Sequence, residues 1–504
     1  MPTSNKSDNN TNEMKSPGPD KNKYMNDDLT QKGEHGYMDL VFNDNKEEKE
    51  NVSNSQISHP LYQDDSDNQE KFDMNEFIRN KLRFYPWYHG VILGKMVGSL
   101  LKCDRSFLVR QTIDGKGAKV LCLSYRSGSK VRNCAIYYKN GWTCPNLFYK
   151  IAPSLKNMGH FELTGLINCW TLLVHEIVAI PRSKFILYND DIRIGKKLGN
   201  GAFGEVCLGV YTHEGTKTEV AVKTVKGNAT REQLVEFYGE ARIMEELNHE
   251  NVVKYYGTAC LLSPVMVVME VCSGGTVKSF LRKNPNVTKL QQYEMLYHIA
   301  KGMQHLVEQR IIHRDLAARN CLINSNNVVK VSDFGLSVQA TEVKVKSLKK
   351  APIRWLSPET LNKGVFNEKT DVWSYGVVVW EVFAKCITDP LYPKNLKEVA
   401  QLIKESSSCP HKLPDGSPPD INRLMEDCCK KNIPTRHTFK SAVHFIKTLV
   451  DKKKILAGDK KAEKSERIAR GELNGTIRMT RKSINNSARK TVRSKTSKRP
   501  DKSG

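Results

Sequence analysis

Apolar residues are concentrated in the middle of this 504-residue chain. Residues 1 to about 75 are rich in Asn, Asp, Ser and Lys and show no apolar periodicity. Such a segment cannot bury enough surface to offset the entropy of ordering the chain. From about residue 452 the sequence again loses its periodicity and is dominated by Lys, Arg, Ser and Thr. The pattern therefore predicts an ordered centre between two disordered tails.

The first part of that centre alternates between helix and strand patterns and begins near Phe84. An amphipathic pattern after Gly90 predicts a helix that ends at Leu101, and a second, apolar helix is predicted from Leu166 to Ala179. Strands are predicted between them, at residues 106–110, 119–125 and 130–138. Helices and strands in this order indicate a small α+β module.

The second part is longer and follows a short connector, residues 180–190, which keeps the two parts close together. Apolar strands are predicted to end at Lys223 and Cys272, with a helix over residues 231–247 between them. Residues 311–323, which read IIHRDLAARNCLI, form an apolar strand, a polar turn and a second apolar strand.

That polar turn carries His313, Arg314, Asp315, Arg319 and Asn320, which would have little use in a core. Asp315 can accept a hydrogen bond from a substrate hydroxyl group. Asn320, five residues further on, can hold a metal ion. The turn is therefore predicted to be a catalytic loop.

The formal net charge of +24 is unevenly distributed. Residues 1–75 carry 8 basic against 16 acidic residues, a balance of −8, whereas residues 451–504 carry 18 against 6, a balance of +12. A basic tail can bind an acidic membrane surface or nucleic acid by releasing counterions. Three interpretations stay open for the tail: a solvated segment, contact with an acidic membrane surface or partner, and, as the least favoured, nucleic acid.

Membrane and disulfide-bonded classes do not fit the sequence. No apolar run is long enough to span a bilayer, no signal-peptide pattern is found, and Pro2 stands where N-myristoylation requires glycine. The 13 cysteines are scattered and form no paired Cys-x-x-Cys pattern, so free thiols in a reducing cytoplasm are expected. We expect a cytoplasmic protein whose basic tail can bring it to the inner face of the plasma membrane.

The motif of residues 311–323 resembles the catalytic loop of protein tyrosine kinases. Serine/threonine kinases usually carry Lys two residues after the Asp, whereas this chain has Ala317 there and Arg319 four residues after it, as tyrosine kinases do. The sequence Pro352-Ile353-Arg354-Trp355 is also similar to the tyrosine-kinase loop that packs against the substrate ring. The resemblance implies that Asp315 accepts the hydroxyl proton, with Arg319 as a second catalytic residue.

Residues 198–206, LGNGAFGEV, form a glycine-rich loop whose backbone can lie against phosphate. A dinucleotide-binding fold would place a helix directly after the glycines, but here a strand and then Val220-Ala221-Val222-Lys223 follow. The kinase resemblance implies that Lys223 holds the ATP phosphates. Its partner in the helix of residues 231–247 is expected to be Glu240, with Glu236 as the main rival.

The resemblance also implies the cofactors ATP and Mg²⁺. Asn320 and Asp333, the latter in Asp333-Phe334-Gly335, are the expected metal ligands. Backbone groups of Glu270 and Cys272 are expected to bond the adenine. The expected nucleotide-binding residues are Leu198, Gly199, Asn200, Gly201, Ala202, Phe203, Gly204, Glu205, Val206, Ala221, Lys223, Glu270, Cys272 and Leu322.

The activation segment, residues 336–350, lacks the tyrosine that related kinases phosphorylate and pair with the catalytic-loop Arg, here Arg314. Three explanations stay open: Glu342 substitutes for the phosphate, another kinase phosphorylates Thr341 or Ser347, or the segment needs no phosphate. Further on, Glu359 is expected to pair with Arg436 in a buried ion pair, and Asp371 to brace the catalytic loop.

The α+β module resembles the Src-homology-2 (SH2) domain, which binds phosphotyrosine, because Trp87-Tyr88-His89-Gly90 is followed by Phe107-Leu108-Val109-Arg110. The resemblance implies that Arg110 binds the phosphate and that Thr112 donates a hydroxyl group. Two positions depart from the family: Gly94 stands where a second Arg is usual, and Asn133 where a His is usual. Reduced or altered phosphotyrosine binding is therefore expected, and loss of phosphotyrosine binding stays open as the less favoured alternative.

Together the motifs resemble a short form of the Fes/Fer-type cytoplasmic tyrosine kinases. The expected fold class is α+β, with an SH2 domain followed by a bilobal protein-kinase fold and disordered amino- and carboxy-terminal tails. The expected domains are 1–80 (acidic and disordered), 85–181 (SH2), 182–191 (linker), 192–450 (kinase) and 451–504 (basic and disordered). Expected partners are proteins that carry a target tyrosine and phosphotyrosine proteins that bind the SH2 domain. The alternative is a pseudokinase that acts as a scaffold.

Overall fold

The computed structural model describes residues 72–113, 119–138, 141–144, 162–173, 177–200, 204–225, 230–348 and 351–456. Most of the two predicted disordered tails lies outside the described residues, as do Gly201, Ala202 and Phe203 of the glycine-rich loop. The described residues form an amino-terminal module followed by a larger module.

The amino-terminal module is a six-stranded sheet with helices packed on it. Its elements are α1 (Met74–Asn80), β1 (Tyr88–Val91), α2 (Gly94–Leu100), β2 (Ser106–Ile113), β3 (Lys119–Ser127), β4 (Lys130–Tyr138), β5 (Trp142–Thr143), α3 (Leu163–Leu173) and β6 (Val178–Ala179). Strands β1 to β5 lie side by side in chain order, and β6 pairs with β2. The β1–β2 and β2–β6 pairs are parallel, and the others are antiparallel.

Two boundaries of this module differ from the predictions. Order begins before Phe84, because α1 starts after Asp73, whose side chain caps Asn75 N at 2.8 Å, and Ile78 of α1 is fully buried. The predicted disordered segment 1–80 is therefore too long. The helix predicted to run to Ala179 ends at Leu173, and residues 178–179 form a strand. Pairing with β2 satisfies the backbone there, since Val178 N donates to Arg105 O at 2.7 Å.

The larger module begins with a sheet lobe and continues into a helical lobe. The sheet lobe contains β7 (Ile186–Leu187), β8 (Ile192–Asn200), β9 (Glu205–His213), β10 (Thr216–Thr224), α4 (Arg231–Glu245), β11 (Tyr255–Ala259) and β12 (Met266–Glu270). The strands are ordered β7-β11-β12-β10-β9-β8. Helix α4 begins with a capping box, in which Thr230 and Gln233 satisfy each other's backbone N–H groups.

The helical lobe holds short strand pairs between its helices. Its elements are β13 (Gly275–Thr276), α5 (Val277–Lys283), α6 (Lys289–Glu308), β14 (Ile311–Ile312), β15 (Cys321–Ile323), β16 (Val329–Val331), β17 (Val338–Gln339), β18 (Glu342–Lys344), α7 (Pro358–Lys363), β19 (Val365–Asn367), α8 (Glu368–Phe383), α9 (Leu396–Glu405), α10 (Pro419–Cys428) and α11 (residues 439–456). Helix α8 is buried along most of its length and forms the centre of the lobe. Helix α11 extends to residue 456, so residues 451–456 are helical and not part of a disordered tail.

The two modules share a buried boundary. Leu261 and Leu262, from the loop after β11, lie in the apolar core of the amino-terminal module. The Tyr88 hydroxyl donates to Leu261 O at 3.0 Å, and Val91 N donates to Cys260 O at 2.7 Å. The linker therefore joins two modules that are packed against each other.

Two negative findings apply to the described residues only. None of their helices combines the length and the apolar composition needed to cross a bilayer. Their cysteines are all free thiols, including the buried neighbours Cys428 and Cys429.

Candidate active site

A buried ion pair joins the sheet of the larger module to helix α4. Lys223, near the end of β10, donates to the two carboxylate oxygens of Glu240 at 2.8 and 2.6 Å. Both side chains are at least 92% buried. Burial raises the pKa of Glu240, while the Lys223 ammonium opposes that shift. The structure thus pairs Lys223 with Glu240, the partner expected from the sequence.

The described ends of the glycine-rich segment, residues 198–200 and 205–206, belong to the strands next to this pair. Strand β8 ends with Leu198, Gly199 and Asn200, and β9 begins with Glu205 and Val206. In the β9–β10 ladder Val206 is opposite Lys223, and Ala221, also on β10, is buried. Gly204 is required between the strands, because a Cβ atom there would lie 1.8 Å from Thr224 O.

The strand that leads out of the sheet lobe is tied to the strand before Asp333. Glu270, at the end of β12, pairs with the buried Lys330 of β16 at 2.7 Å, and Lys254 N donates to the same carboxylate oxygen at 2.9 Å. Cys272 follows and is partly buried, and burial raises the pKa of its thiol to about 12. Leu322 of β15, also partly buried, pairs in register with Lys330.

The predicted catalytic loop brings Asp315, Arg319 and Asn320 together. The Arg319 guanidinium donates to one carboxylate oxygen of Asp315, and Asn320 Nδ2 donates to the other at 2.8 Å. Burial raises the pKa of Asp315, while Arg319 and His313 oppose that shift. The carboxylate is therefore held in one orientation by two donors.

Helix α8 fixes the backbone of the same loop. Both carboxylate oxygens of the buried Asp371 accept backbone N–H groups, from His313 at 2.7 Å and from Arg314 at 3.0 Å. This is the bracing contact expected from the sequence. It leaves the loop with few alternative conformations.

A second carboxylate on α8 was missed by the sequence reasoning. Glu381 Oε2 accepts from Ala318 N at 2.9 Å and from Trp355 Nε1 at 3.0 Å. It therefore connects the catalytic loop to the segment of residues 353–355. A carboxylate inside the apolar run VVVWEVF was the signal that could have identified it.

Asn320 and Asp333 supply donors that suit a hard divalent cation. Asn320 uses its amide N–H group on Asp315, which leaves its amide oxygen available, and Ser332, adjacent to Asp333, donates to Asn320 O at 2.9 Å. Among the described residues no cluster of three or more His, Cys, Asp or Glu could hold a metal alone. An amide oxygen and one carboxylate fit Mg²⁺ bound together with nucleotide phosphates, where few protein ligands are usual.

Comparisons with known proteins agree with this site. The family model described as protein tyrosine and serine/threonine kinase matches residues 192–446. Fer-related kinase 1 of Caenorhabditis elegans is 33% identical over 73% of this chain and 94% of the nematode protein. Tyrosine-protein kinase Fer of Homo sapiens is 35% identical over 71% of this chain and 43% of the human protein.

The chain belongs to the Fes/Fer-type protein tyrosine kinases. The transforming protein Fps of avian sarcoma virus is also similar, at 32% identity over 71% of this chain and 66% of the viral protein. The match covers less than half of human Fer, so the kinase shares with that relative only part of its length.

The activation segment of this kinase, residues 336–350, contains no tyrosine. Glu342 accepts from Asn367 Nδ2 at 3.0 Å. The Arg314 guanidinium donates to Leu336 O at 3.1 Å and lies over the Phe366 ring, 4.5 Å from its centroid. Burial lowers the pKa of Arg314 to about 10.

The helical lobe of the kinase contains the expected buried ion pair. Arg436 Nη1 and Nη2 donate to the two carboxylate oxygens of Glu359 at 2.6 and 3.2 Å. The Arg436 side chain is fully buried, and Arg436 Nη1 also donates to Lys369 O at 2.8 Å. This bidentate pair fixes α7 against the segment that precedes α11.

In the amino-terminal module of the kinase, Arg110 is buried among three acceptors. Its guanidinium donates to Ser124 Oγ at 3.1 Å, to Ile92 O at 3.0 Å and to Asn133 Oδ1 at 3.4 Å. Asn133 Oδ1 also accepts from Ser124 at 2.7 Å. Asn133, where a His is usual, thus contacts the guanidinium directly. Thr112 lies two residues further along β2 and is partly exposed.

Proposed function

We propose that the kinase transfers the γ-phosphoryl group of ATP to protein tyrosine with Asp315 as the group that orients the substrate hydroxyl and accepts its proton. The observation that carries this assignment is the fixed Asp315 carboxylate, which Arg319 and Asn320 hold from two sides. A positioned carboxylate at the reacting hydroxyl is what this reaction requires of the protein. The bond from tyrosine oxygen to phosphorus forms as the bond from phosphorus to ADP oxygen breaks.

The other residues position charge around the transferred group. The Lys223 ammonium, oriented by Glu240, holds the phosphates, and the glycine-rich segment from Leu198 to Val206 covers them. The backbone of Glu270 and Cys272 bonds the adenine. Asn320 and Asp333 would hold Mg²⁺, which would neutralise phosphate charge.

The assignment is tested by phosphotransfer from labelled ATP to poly(Glu,Tyr), with the full chain and its Asp315→Asn variant. Label on tyrosine that falls by two or more orders of magnitude in the variant would support the assignment. Label that persists in the variant would refute the role of Asp315. If the wild type neither incorporates label nor gains thermal stability from ATP and Mg²⁺, the pseudokinase scaffold is the better interpretation.

We propose that the amino-terminal module is an SH2 domain that directs the kinase to phosphotyrosine proteins. Support comes from the buried Arg110, whose guanidinium could exchange its neutral acceptors for a phosphate group with a gain in charge pairing. Fluorescence polarisation with a phosphotyrosine peptide library tests it. Binding that is lost in Arg110→Lys and absent for unphosphorylated peptides is expected, and equal binding of both peptide forms would overturn it.

We infer a cytoplasmic protein whose basic tail contacts acidic membrane at the inner face of the plasma membrane. Support comes from the balance of +12 over residues 451–504. Sedimentation with phosphatidylserine vesicles should bring down the full chain at low salt, and a chain truncated after residue 456 should stay in solution. Equal sedimentation of the two proteins would contradict the inference.

A further inference from the structure

The segment between α8 and α9, together with the first residue of α9, exposes three large apolar side chains. Ile387 is 72% exposed, Tyr392 67% and Leu396 55%. Single exposed apolar residues are ordinary, but three within ten residues form a patch that needs an explanation. We name residues 387–396 the docking segment.

The docking segment is held in place by cations from helix α5. Arg282 Nε donates to Cys386 O, directly before the segment, at 2.6 Å. Lys278 Nζ lies 2.9 Å from the Asp389 carboxylate, within the segment. The exposed side chains are therefore carried on a fixed backbone, and presenting them costs little further ordering.

A third cation ties the docking segment to the acceptor side of the active site. Arg354 donates from Nη1 to Pro390 O and from Nη2 to Lys394 O, both at 2.6 Å. Its neighbour Trp355 lies under the Arg319 guanidinium, 4.3 Å from the ring centroid. Arg319 in turn contacts Asp315. A chain of contacts through Arg354, Trp355 and Arg319 thus links the docking segment to Asp315.

The charges around the patch are mainly positive. Lys394 and Lys397 are exposed and form no ion pair with the residues that the structure describes. The nearby acidic groups are already engaged, Asp389 with Lys278 and Glu398 with the backbone N–H of Asn395 at 2.9 Å. A ligand that complements this surface therefore carries apolar side chains with acidic residues beside them.

We propose that the docking segment binds protein substrates through an apolar stretch, flanked by acidic residues, that is separate from the target tyrosine. The contact adds affinity by tethering, because it raises the effective concentration of the tyrosine at Asp315. This inference rests on the proposed function and names the substrate class of that site.

The test compares two synthetic peptides as substrates of the full chain. The short peptide is Glu-Glu-Glu-Tyr-Glu-Glu, and the long peptide adds Gly-Ser spacers of graded length followed by Asp-Leu-Val-Phe-Asp. We expect the best spacer to lower KM by about tenfold with little change in kcat, as burial of apolar side chains at a tethered site would do. Replacing both Asp residues of the extension by Asn should remove part of that gain.

The decisive variant combines Ile387→Ser, Tyr392→Ser and Leu396→Ser, all at exposed positions. It should have the same KM for both peptides, equal to the KM of the wild type for the short peptide. The matched control replaces Ile455 and Leu456, which are 63% and 52% exposed at the end of α11, by Ser. This control should keep the preference for the long peptide.

Three results would overturn the proposal. One is a wild type that shows no preference at any spacer length, and another is a triple variant that keeps the preference. A third is a wild type that shows no peptide preference but forms a dimer in sedimentation velocity, with the triple variant monomeric. The patch would then be a self-association surface.

If the wild type phosphorylates neither peptide, the proposed function fails by itself. Docking is then decided by polarisation of the labelled long peptide, which must bind the wild type and not the triple variant.

Discussion

The Tyr238 hydroxyl, on helix α4, donates a hydrogen bond to the backbone carbonyl of Val91, on β1 of the amino-terminal module. Tyr238 lies two residues before Glu240, whose carboxylate holds Lys223. A contact between the modules and a contact of the active site are therefore carried by the same short helix.

Replacement of Tyr238 by Phe should lower kcat/KM by about two- to tenfold, the range of one net hydrogen bond. The expected cause is a less firmly held α4, so the KM for ATP should rise together with the loss in kcat. Steady-state kinetics with poly(Glu,Tyr) measure both. Tyr297→Phe, which removes a hydroxyl group from helix α6, is the control and should change neither constant. If Tyr238→Phe left both constants unchanged, the contact between the modules would not contribute to catalysis.

Gly90→Ala should destabilise the protein, because the added methyl group would force the two modules apart. Gly90 has a φ of +74°, and a Cβ atom there would lie 2.2 Å from Cys260 O. Left-handed backbone alone costs an alanine roughly 1–2 kcal/mol. Gly128 has a φ of +60° with no atom within 4 Å of its Cβ position, so Gly128→Ala measures that conformational cost without the clash. Thermal denaturation should show the larger loss for Gly90→Ala, and equal losses would contradict the close approach.

Glu359→Gln should cost roughly 3–5 kcal/mol of stability, because it leaves the Arg436 charge buried without its partner. The matched control is Glu294→Gln, which removes a partly exposed pair with Lys454 at 3.0 Å and should cost at most about 1 kcal/mol. Urea denaturation followed by tryptophan fluorescence measures both. A loss for Glu359→Gln no larger than that of the control would mean that the helical lobe does not depend on the pair.

The acidic limb of the pH profile of kcat/KM should reflect the protonation of Asp315. Burial raises the pKa of Asp315 above its ordinary value, and Arg319 opposes the shift. Activity should be present above that pKa and disappear as the pH falls through it, since the protonated carboxyl cannot accept the hydroxyl proton. Arg319→Gln removes the opposing charge, so its pKa should rise further and its acidic limb should move to higher pH.

Two variants check the origin of that movement. Arg319→Lys keeps the positive charge and should restore much of the wild-type limb. Arg423→Gln, at an exposed site on α10, changes the net charge equally and should leave the limb in place. A limb that stays unmoved in Arg319→Gln would show that another group controls it.

The sequence was most informative where a motif fixes both residue type and spacing. The roles of Asp315, Asn320 and Lys223 were predicted from the resemblance of their motifs to those of protein kinases, and strand periodicity placed Lys223 at the end of an apolar strand. Periodicity alone could not choose between Glu236 and Glu240, which lie four residues apart on one helix face. The match of the flanking residues decided it.

Contacts between distant segments were not predictable in the same way. The Glu381 carboxylate accepts hydrogen bonds from Ala318 and Trp355, which lie on two separate loops. No local sequence pattern specifies those partners. The strand of residues 178–179 forms because β1 pairs with β2 only at Val109 and Gln111, which leaves Ser106 and Phe107 of β2 to pair with Val178 and Ala179. The apolar residues there extend a helix pattern in the sequence. Helix α1 was missed because the residues that bury it come from segments further along the chain.

The central claim is that the fixed Asp315 and the Lys223–Glu240 pair form a competent site although the activation segment has no tyrosine. The most direct test is single-turnover transfer of labelled phosphate to poly(Glu,Tyr) by phosphatase-treated full chain whose intact mass shows no phosphate. Prompt formation of phosphotyrosine, lost in Asp315→Asn, is the predicted result. No transfer until Thr341 or Ser347 becomes phosphorylated would contradict the account.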